Sequence, residues 1–317
     1  MMSPASPEPG KIRLRLPATS ANLGPGFDAV AIALDFYLEI EAEAAADFSI
    51  SATGRNADRC ARLEDNLIIE AYKRLLRAHQ REIVPLAIKM HNQIPLGMGC
   101  GSSAAGRLAA IALANHFGQL DLSPDGVLDE AYMLEGHPDN VAACWLGGFV
   151  AAVCEGRRVY PVHVAPPQDW RAIVALPAES LPTSVARSVL PASYWLQDVV
   201  QNLQSVSLLG LAFARGRGDL LRLAMQDKVH QPYRAAICPL LPLLLPLAGE
   251  NGILGASLSG AGPSVMVIVE KESSLPGAEA AIRQALSGVE NVELLLSRFI
   301  SQGAKDLSQP AGFSSEN

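Results

Sequence analysis

The segment Pro95-Leu96-Gly97-Met98-Gly99-Cys100-Gly101-Ser102-Ser103-Ala104-Ala105-Gly106 carries the densest chemical signal in the chain. Gly97, Gly99 and Gly101 let a backbone approach a ligand with no Cβ in the way. Ser102 and Ser103 fall where a helix pattern begins, so free N–H groups and the positive end of the helix dipole face an anion. The serine hydroxyls can also reach a phosphate oxygen or a metal. A plain strand-to-helix turn with a serine cap explains the same residues without a ligand. Two other phosphate loops fit poorly. A Walker loop needs Gly-Lys-Ser/Thr, and the segment has no lysine. The pattern G-x-G-x-x-G ends on Ser102 when counted from Gly97, and on Ala104 when counted from Gly99.

The loop needs a strand before it and a helix after it. Leu86, Ile88, Met90 and Ile94 alternate with Lys89, His91 and Gln93 at strand period, and a helix pattern follows from about Ser103 to Phe117. Ile12, Leu14 and Leu16 alternate with Arg13 and Arg15, predicting a first strand that Pro17 ends in a loop reaching Asp28. Val30 to Ile40 alternates again. Helices are expected over 65–78, up to Glu135, over 196–216, over 219–229 and over 278–286. Strands are expected over 145–153, 172–176, 264–270 and 292–299, and Ala256 to Gly262 forms a second small-residue loop. Adjacent alternating strands mixed with helices indicate an α+β fold rather than a doubly wound parallel sheet.

Prolines cluster from Pro161 to Pro167, which places a domain boundary near residue 160: one unit over 11–160, another over 161–301, and flexible tails at 1–10 and 302–317. The chain has 317 residues, enough for two cores. Its net charge of −7 argues against a general nucleic-acid or anionic-membrane binder. The N-terminus lacks an apolar signal core, and the most apolar stretch, 237–248, is broken by prolines and far short of the roughly 20 residues of a membrane span. The five cysteines form no C-x-x-C pair and read as free thiols of a reducing compartment, so a cytoplasmic protein is expected.

At this point the glycine/serine segment resembles the second motif of the GHMP kinases, which wraps the ATP phosphates; Cys100 stands where that family usually carries Leu or Met. Pro17-Ala-Thr-Ser-Ala-Asn-Leu-Gly-Pro-Gly-Phe-Asp28 resembles the N-terminal signature of the homoserine kinase branch. Glu135-Gly-His-Pro-Asp-Asn-Val141 with Gly147-Gly-Phe149 resembles a second signature of that branch, and Asp227-Lys-Val-His-Gln-Pro-Tyr-Arg234 is similar to a third stretch of it. Gly255-Ala-Ser-Leu-Ser-Gly-Ala-Gly-Pro-Ser264 matches the third GHMP motif. The matches run in order over roughly residues 11–300. The resemblance implies a GHMP kinase fold with a ribosomal protein S5 domain 2-like N-terminal half and a ferredoxin-like C-terminal half. It implies ATP as co-substrate, Mg²⁺, a homodimer, and L-homoserine as the phosphoryl acceptor in threonine biosynthesis.

It also implies roles. The backbone of 95–105 would hold ATP, with Asn66 at the adenine, although Asn66 also suits a helix cap. Homoserine carries an ammonium, a carboxylate and a hydroxyl. Asp28 would take the ammonium, Arg187 and Arg234 the carboxylate, and Asn22, His137, Asp139, Thr183, Ser259, Gly260 and Gly262 would surround the substrate. Ser102 and Glu135 would hold Mg²⁺, with Glu130 as the other candidate carboxylate. Asn140 would orient the attacking hydroxyl, while His137 or Asp139 could instead remove its proton. Another GHMP acceptor, such as mevalonate or a sugar, and a silent ligand-sensing paralogue are the competing readings. The Asp28–Arg187–Arg234 set speaks against the former, and retention of Ser102 and Glu135 against the latter.

Overall fold

Alternating burial builds the first sheet of the computed structural model, which describes residues 10–308. β1 (Lys11–Asn22) lies antiparallel to β2 (Gly26–Ala44). Ile12, Leu14 and Leu16 are buried, while Arg13 and Arg15 stand opposite Glu41 and Glu39 and pair with them at 3.2 Å each. β3 (Ser49–Gly54) runs parallel to β4 (Leu86–Asn92), and β5 (Phe149–Glu155) and β6 (Arg158–Val164) form a hairpin. The strand order is β3-β4-β2-β5-β6, with β1 on β2.

The expected loop from Pro17 is instead mostly strand. β1 continues to Asn22 with register shifts after Pro17 and after Ala21, which absorb the proline as a bulge. Ala18, Thr19, Ser20 and Ala21 are small enough to be buried beneath helices there. Only Leu23, Gly24 and Pro25 make the turn.

Helices α1 (Ala57–Cys60), α2 (Leu67–Ala78), α3 (Ser102–Phe117), α4 (Pro124–Glu135) and α5 (Asp139–Leu146) accompany this sheet. α4 begins at the Ser123 cap, whose hydroxyl accepts from Gly126 N–H at 3.1 Å, and ends at Gly136 with φ 87°. Trp145, read as the start of a strand, belongs to α5; the strand starts at Phe149. α5 is buried nearly all round, so it shows no amphipathic period to distinguish it from a buried strand.

β6 ends at Val164, so the chain leaves the first sheet a few residues beyond the expected boundary at 160. The second sheet is antiparallel, in the order β10-β7-β9-β8, from β7 (Arg171–Leu176), β8 (Ile253–Leu258), β9 (Val265–Val269) and β10 (Glu293–Arg298). With it go α6 (Thr183–Ser188), α7 (Leu196–Arg215), α8 (Leu221–Ala224), α9 (Gln231–Arg234), α10 (Leu241–Leu244) and α11 (Leu275–Ala285). The helix expected over 219–229 stops at Ala224. The Asp227 carboxylate accepts from the N–H groups of Val229, His230 and Gln231 at 2.6–3.0 Å, which holds a loop where a helix ladder would need those donors.

The expected tail at 302–317 is corrected over its first part. Residues after β10 return to the first half, where Gly148 N–H donates to Ile300 O at 2.8 Å. α12 (Ala304–Leu307) follows, with Ala304 buried. The tail expected over 1–10 and the remainder of the one expected to 317 fall, apart from Gly10 and Ser308, outside the described residues. No helix among the described residues is long and apolar enough to cross a membrane.

Candidate active site

Strand β4 delivers the chain into the glycine/serine loop, and α3 carries it away. Gly97, Gly99 and Gly101 have φ values of 71°, 73° and 71°, where a side chain is strained. A Cβ on Gly99 would lie 2.0 Å from Ser259 O, and one on Gly101 1.9 Å from Thr19 Oγ1. The loop is therefore clamped from both halves. Thr19 N–H donates to Cys100 O at 3.1 Å, Leu181 N–H to Gly97 O at 3.3 Å, and Ser259 Oγ to Gly99 O at 2.8 Å. Ser259 also reaches Ser20 Oγ at 2.9 Å and is fully buried. Its hydroxyl thus ties the 259–262 loop to the segments that carry Gly99 and Ser20. Gly260 and Gly262 line the cleft. Cys100 is buried, and burial pushes its thiol up to about 12, so it stays a protonated packing residue. Ala104 and Ala105 are buried in α3 and contribute backbone only.

Gly97, Gly99, Gly101, Ser102 and Ser103 share one cleft with Asn22, Phe27, Asp28, Glu135, His137, Asp139, Asn140, Leu181, Thr183, Arg187, Arg234, Gly260, Ala261 and Gly262. At its acidic end, Glu135 closes α4. Its Oε2 accepts from Ser103 Oγ at 3.1 Å and pairs with Arg107, while its Oε1 stands 3.8 Å from His137 Nε2. Burial pulls the Arg107 guanidinium below its ordinary pKa, with Arg74 adding to that. Glu130 lies elsewhere, paired with Arg157 at 3.3 Å and 4.0 Å from His79. Asp139 is buried, and its Oδ1 meets His137 Nδ1 at 2.6 Å and Asn140 N–H at 2.7 Å. Thr19 Oγ1 donates to Asn140 Oδ1 at 2.7 Å, which leaves the amide nitrogen of Asn140 as its donor. Among the described residues the Ser102 hydroxyl has no hydrogen-bond partner, and Ser102 lines the cleft. Free N–H groups at the start of α3, two serine hydroxyls and a carboxylate suit a polyphosphate and a hard cation.

The start of β2 brings Asp28 up to this cluster, with ligand atoms of Asp28, His137 and Asp139 all within 4.8 Å of one another. Asn22 and Asp28 both have positive φ, 72° and 55°. Asn22 Oδ1 accepts from Asp28 N–H at 3.0 Å, and its Nδ2 donates to Gly260 O at 2.8 Å, so Asn22 is committed to the loop walls. Arg187 donates to Asp28 Oδ1 at 2.7 Å. Arg234 is buried, and burial, reinforced by Arg187, pulls its guanidinium below its ordinary pKa. The ring of Phe27 lies 5.3 Å from each of these guanidinium carbons, within cation–π range of both. One carboxylate beside two guanidinium groups matches a zwitterion.

A second groove opens from Gly97, Ser102 and Ser103 and is lined by Asn66, Leu67, Leu96, Met90 and Ile94. Asn66 caps α2: Oδ1 accepts from Ile68 and Ile69 N–H at 3.0 and 3.3 Å, and Nδ2 donates to Cys60 O and Arg62 O at 3.2 and 2.9 Å. Its side chain fills the capping role that the sequence also allowed, at a position that lines the groove. Sequence reasoning missed Thr19, Phe27, Arg107 and His230. Of these, His230 could have been found: it lies one helical turn before Arg234, at the spacing where side chains meet.

A family model described as the GHMP kinases N-terminal domain matches residues 66–148, and one described as the GHMP kinases C-terminal matches residues 211–288. The chain is 43% identical over 259 residues to a homoserine kinase of Solibacter usitatus, covering 81% of this chain and 85% of that one. It is 40% identical over 281 residues to one of Thermus thermophilus, covering 89% and 93%. Among solved structures, a homoserine kinase from Cytophaga hutchinsonii superposes with a TM-score of 0.79 at 25% identity, covering 96% of this chain and 99% of that one. The mevalonate kinase of L. major with R-mevalonate gives a TM-score of 0.67 at 17% identity over 94% and 97%, a likeness of fold.

Proposed function

The chain belongs to the homoserine kinases of the GHMP kinase family, and we propose on that premise that it transfers the γ-phosphoryl group of ATP to the side-chain hydroxyl of L-homoserine, yielding O-phospho-L-homoserine for threonine biosynthesis in the cytoplasm. The observation that carries the reading is the Asp28–Arg187–Arg234 set in one cleft with the anion-binding loop. Asp28 takes the substrate ammonium, and Arg187 and Arg234 take the carboxylate. The amides of 97–103 hold the phosphates, with Thr183 on the γ-phosphate side. Asn140, its oxygen engaged by Thr19, offers an N–H to the substrate hydroxyl. A loose phosphoryl-transfer transition state draws the hydroxyl proton off late, so positioning and charge neutralisation suffice.

A magnesium ion fits the donor set: the Ser102 hydroxyl has no partner among the described residues, and Arg107 and Ser103 engage Glu135 through Oε2, leaving Oε1. Held by Ser102 and Glu135, it would offset the phosphate charge during transfer. Glu135, carried at the end of α4, is preferred to Glu130, which faces away. A homodimer, the usual assembly of the family, is the expected working form and is checked by sedimentation. The functional test is ADP release measured with homoserine, mevalonate and galactose. Turnover with homoserine that disappears without Mg²⁺ supports the proposal, and turnover with mevalonate or galactose alone overturns it.

A further inference from the structure

Arg234 is held by a histidine that phosphoryl transfer leaves unused, and we propose that His230, as a neutral imidazole protonated on Nε2, is the positioning residue that aims Arg234 at the substrate carboxylate. This rests on the reading of Arg234 as a carboxylate binder. Nε of Arg234 donates to Ala186 O at 3.0 Å, and one terminal nitrogen donates to His230 Nδ1 at 3.1 Å and, weakly, to Gly260 O at 3.4 Å. The other terminal nitrogen has no protein acceptor among the described residues and remains for a ligand. A guanidinium only donates, so Nδ1 of His230 must carry the lone pair. On the other side of the ring, Nε2 lies 2.8 Å from Gly24 O, which only accepts. Both neighbours therefore select the same tautomer, and an imidazolium would set N–H against N–H at Nδ1.

The groups facing the ring agree. Asp227 Oδ2 lies 3.5 Å from Nε2 within the same loop, Asp28 on β2 adds its negative charge from further off, and Arg234 sits on α9. Arg187, on α6, adds its positive charge to the field around Arg234. The two carboxylates favour the cation, but burial opposes it more strongly, and the net effect pulls His230 below the ordinary histidine value. Asp227 already accepts three backbone N–H groups, which blunts its pull. His230 is fully buried, and its ring packs 5.3 Å from Phe27.

The consequence concerns spacing. Through Gly24 O, His230 ties Arg234 to the turn that presents Asp28, and Asn202 Nδ2 braces that turn by donating to Pro25 O at 2.8 Å. One imidazole thus fixes how far the carboxylate-binding cation stands from the ammonium-binding anion, which selects an α-amino acid over an acceptor with only one of those charges.

The test compares wild type, His230→Leu and His230→Asn, the last keeping an acceptor near the Nδ1 position. His230→Leu should raise KM for homoserine about tenfold or more, the scale of one hydrogen bond to a charged group. KM for ATP should stay within about twofold and kcat should fall less than KM rises. His230→Asn should recover most of the loss. In wild type, KM for homoserine should rise as pH drops below the histidine range, whereas His230→Asn should be flat there. Nitrogen-15 NMR of the wild type near neutral pH should report the neutral Nε2–H tautomer. An Nδ1–H tautomer or an imidazolium, both KM values rising together in His230→Leu, or His230→Asn as impaired as His230→Leu would each overturn the proposal. A wild type with no homoserine turnover would instead overturn the functional reading, and the NMR tautomer would still judge this one.

Discussion

Arg234 and Arg187 face the same proposed substrate group from different environments. Arg234 is buried and donates to Ala186 O, so removing it also strands an acceptor inside the protein. Arg234→Leu should weaken homoserine binding by about 2–5 kcal/mol while leaving KM for ATP nearly unchanged. Arg187 is partly exposed, so Arg187→Leu should shift the same KM with little loss of thermal stability; parallel KM and melting measurements check both. If Arg234→Leu folds and keeps its homoserine KM, the guanidinium serves the fold alone. The question of a base is also decided at single residues. Asp139 Oδ1 already meets His137 and the Asn140 N–H, an arrangement that orients Asn140. We expect His137→Gln and Asp139→Asn to keep kcat within about tenfold, because a true base contributes on the order of 10²–10⁴. Glu135→Gln should lose far more. A pH–kcat profile that loses its acid limb in His137→Gln or Asp139→Asn, with both KM values unmoved, would establish a base.

At the scale of elements, the 97–103 loop keeps its shape because strand β1, α3 and the 259–262 loop close on it. Gly99 has no room for a Cβ, whose nearest neighbour would be the Ser259 carbonyl at 2.0 Å. Gly99→Ala should cost about 1–3 kcal/mol of stability, as overpacking does, and should raise KM for ATP more than KM for homoserine. Gly156, in the β5–β6 hairpin, is the comparison: its φ is also positive, at 60°, but a Cβ there meets nothing within 4 Å. Gly156→Ala should therefore show only the left-handed backbone penalty, about 1–2 kcal/mol, with both KM values intact. Denaturant melts and ATP titrations of the two variants separate crowding at the loop from backbone strain.

At the scale of the molecule, the two sheets share a core. Phe149 of β5 stacks on Phe213 of α7 with centroids 4.4 Å apart, and Trp170 meets Phe213 edge-on at 5.3 Å. That core continues through Ala172, Val174, Met266 and Ile268 on one face of the second sheet, while Ile173, Ala175, Val265 and Val267 serve a separate cluster on its other face. The active-site cleft lies where the halves meet, so their mutual placement sets its width. The wild type is expected to unfold in one calorimetric transition. Phe213→Ala, which removes a fully buried ring from the joint, should cost about 3–5 kcal/mol. Two well-separated wild-type transitions would show that the halves are held only by surface contacts such as the Arg55–Glu293 pair, which is worth little at its exposure.

Local chemistry was readable from the residues themselves. Glycines at alternate positions before a serine pair specify a loop open to an anion, and alternating apolar residues specify β4 and the start of β1, because both depend on neighbours within a few positions. The α+β class followed from the same periods. What the local periods missed was decided by distant partners. The 17–22 segment became strand because α3 and α5 bury its small residues, which no period within the segment announces. α5 lost its amphipathic signature because it is covered on every side. Asp227 ended a helix that its neighbours' propensities would have continued, by accepting the backbone donors that helix needed. Glu135 and Glu130 lie on one helix, and only the packing of α4 decides which carboxylate meets Ser103 and Arg107. Ser259 fastens loops because Gly99 and Ser20 reach it from segments far away in the chain. The charge state of His230 is the clearest case: the sequence supplies the imidazole, but its proton is assigned by Arg234 and Gly24, which only the folded chain brings to opposite edges of one ring.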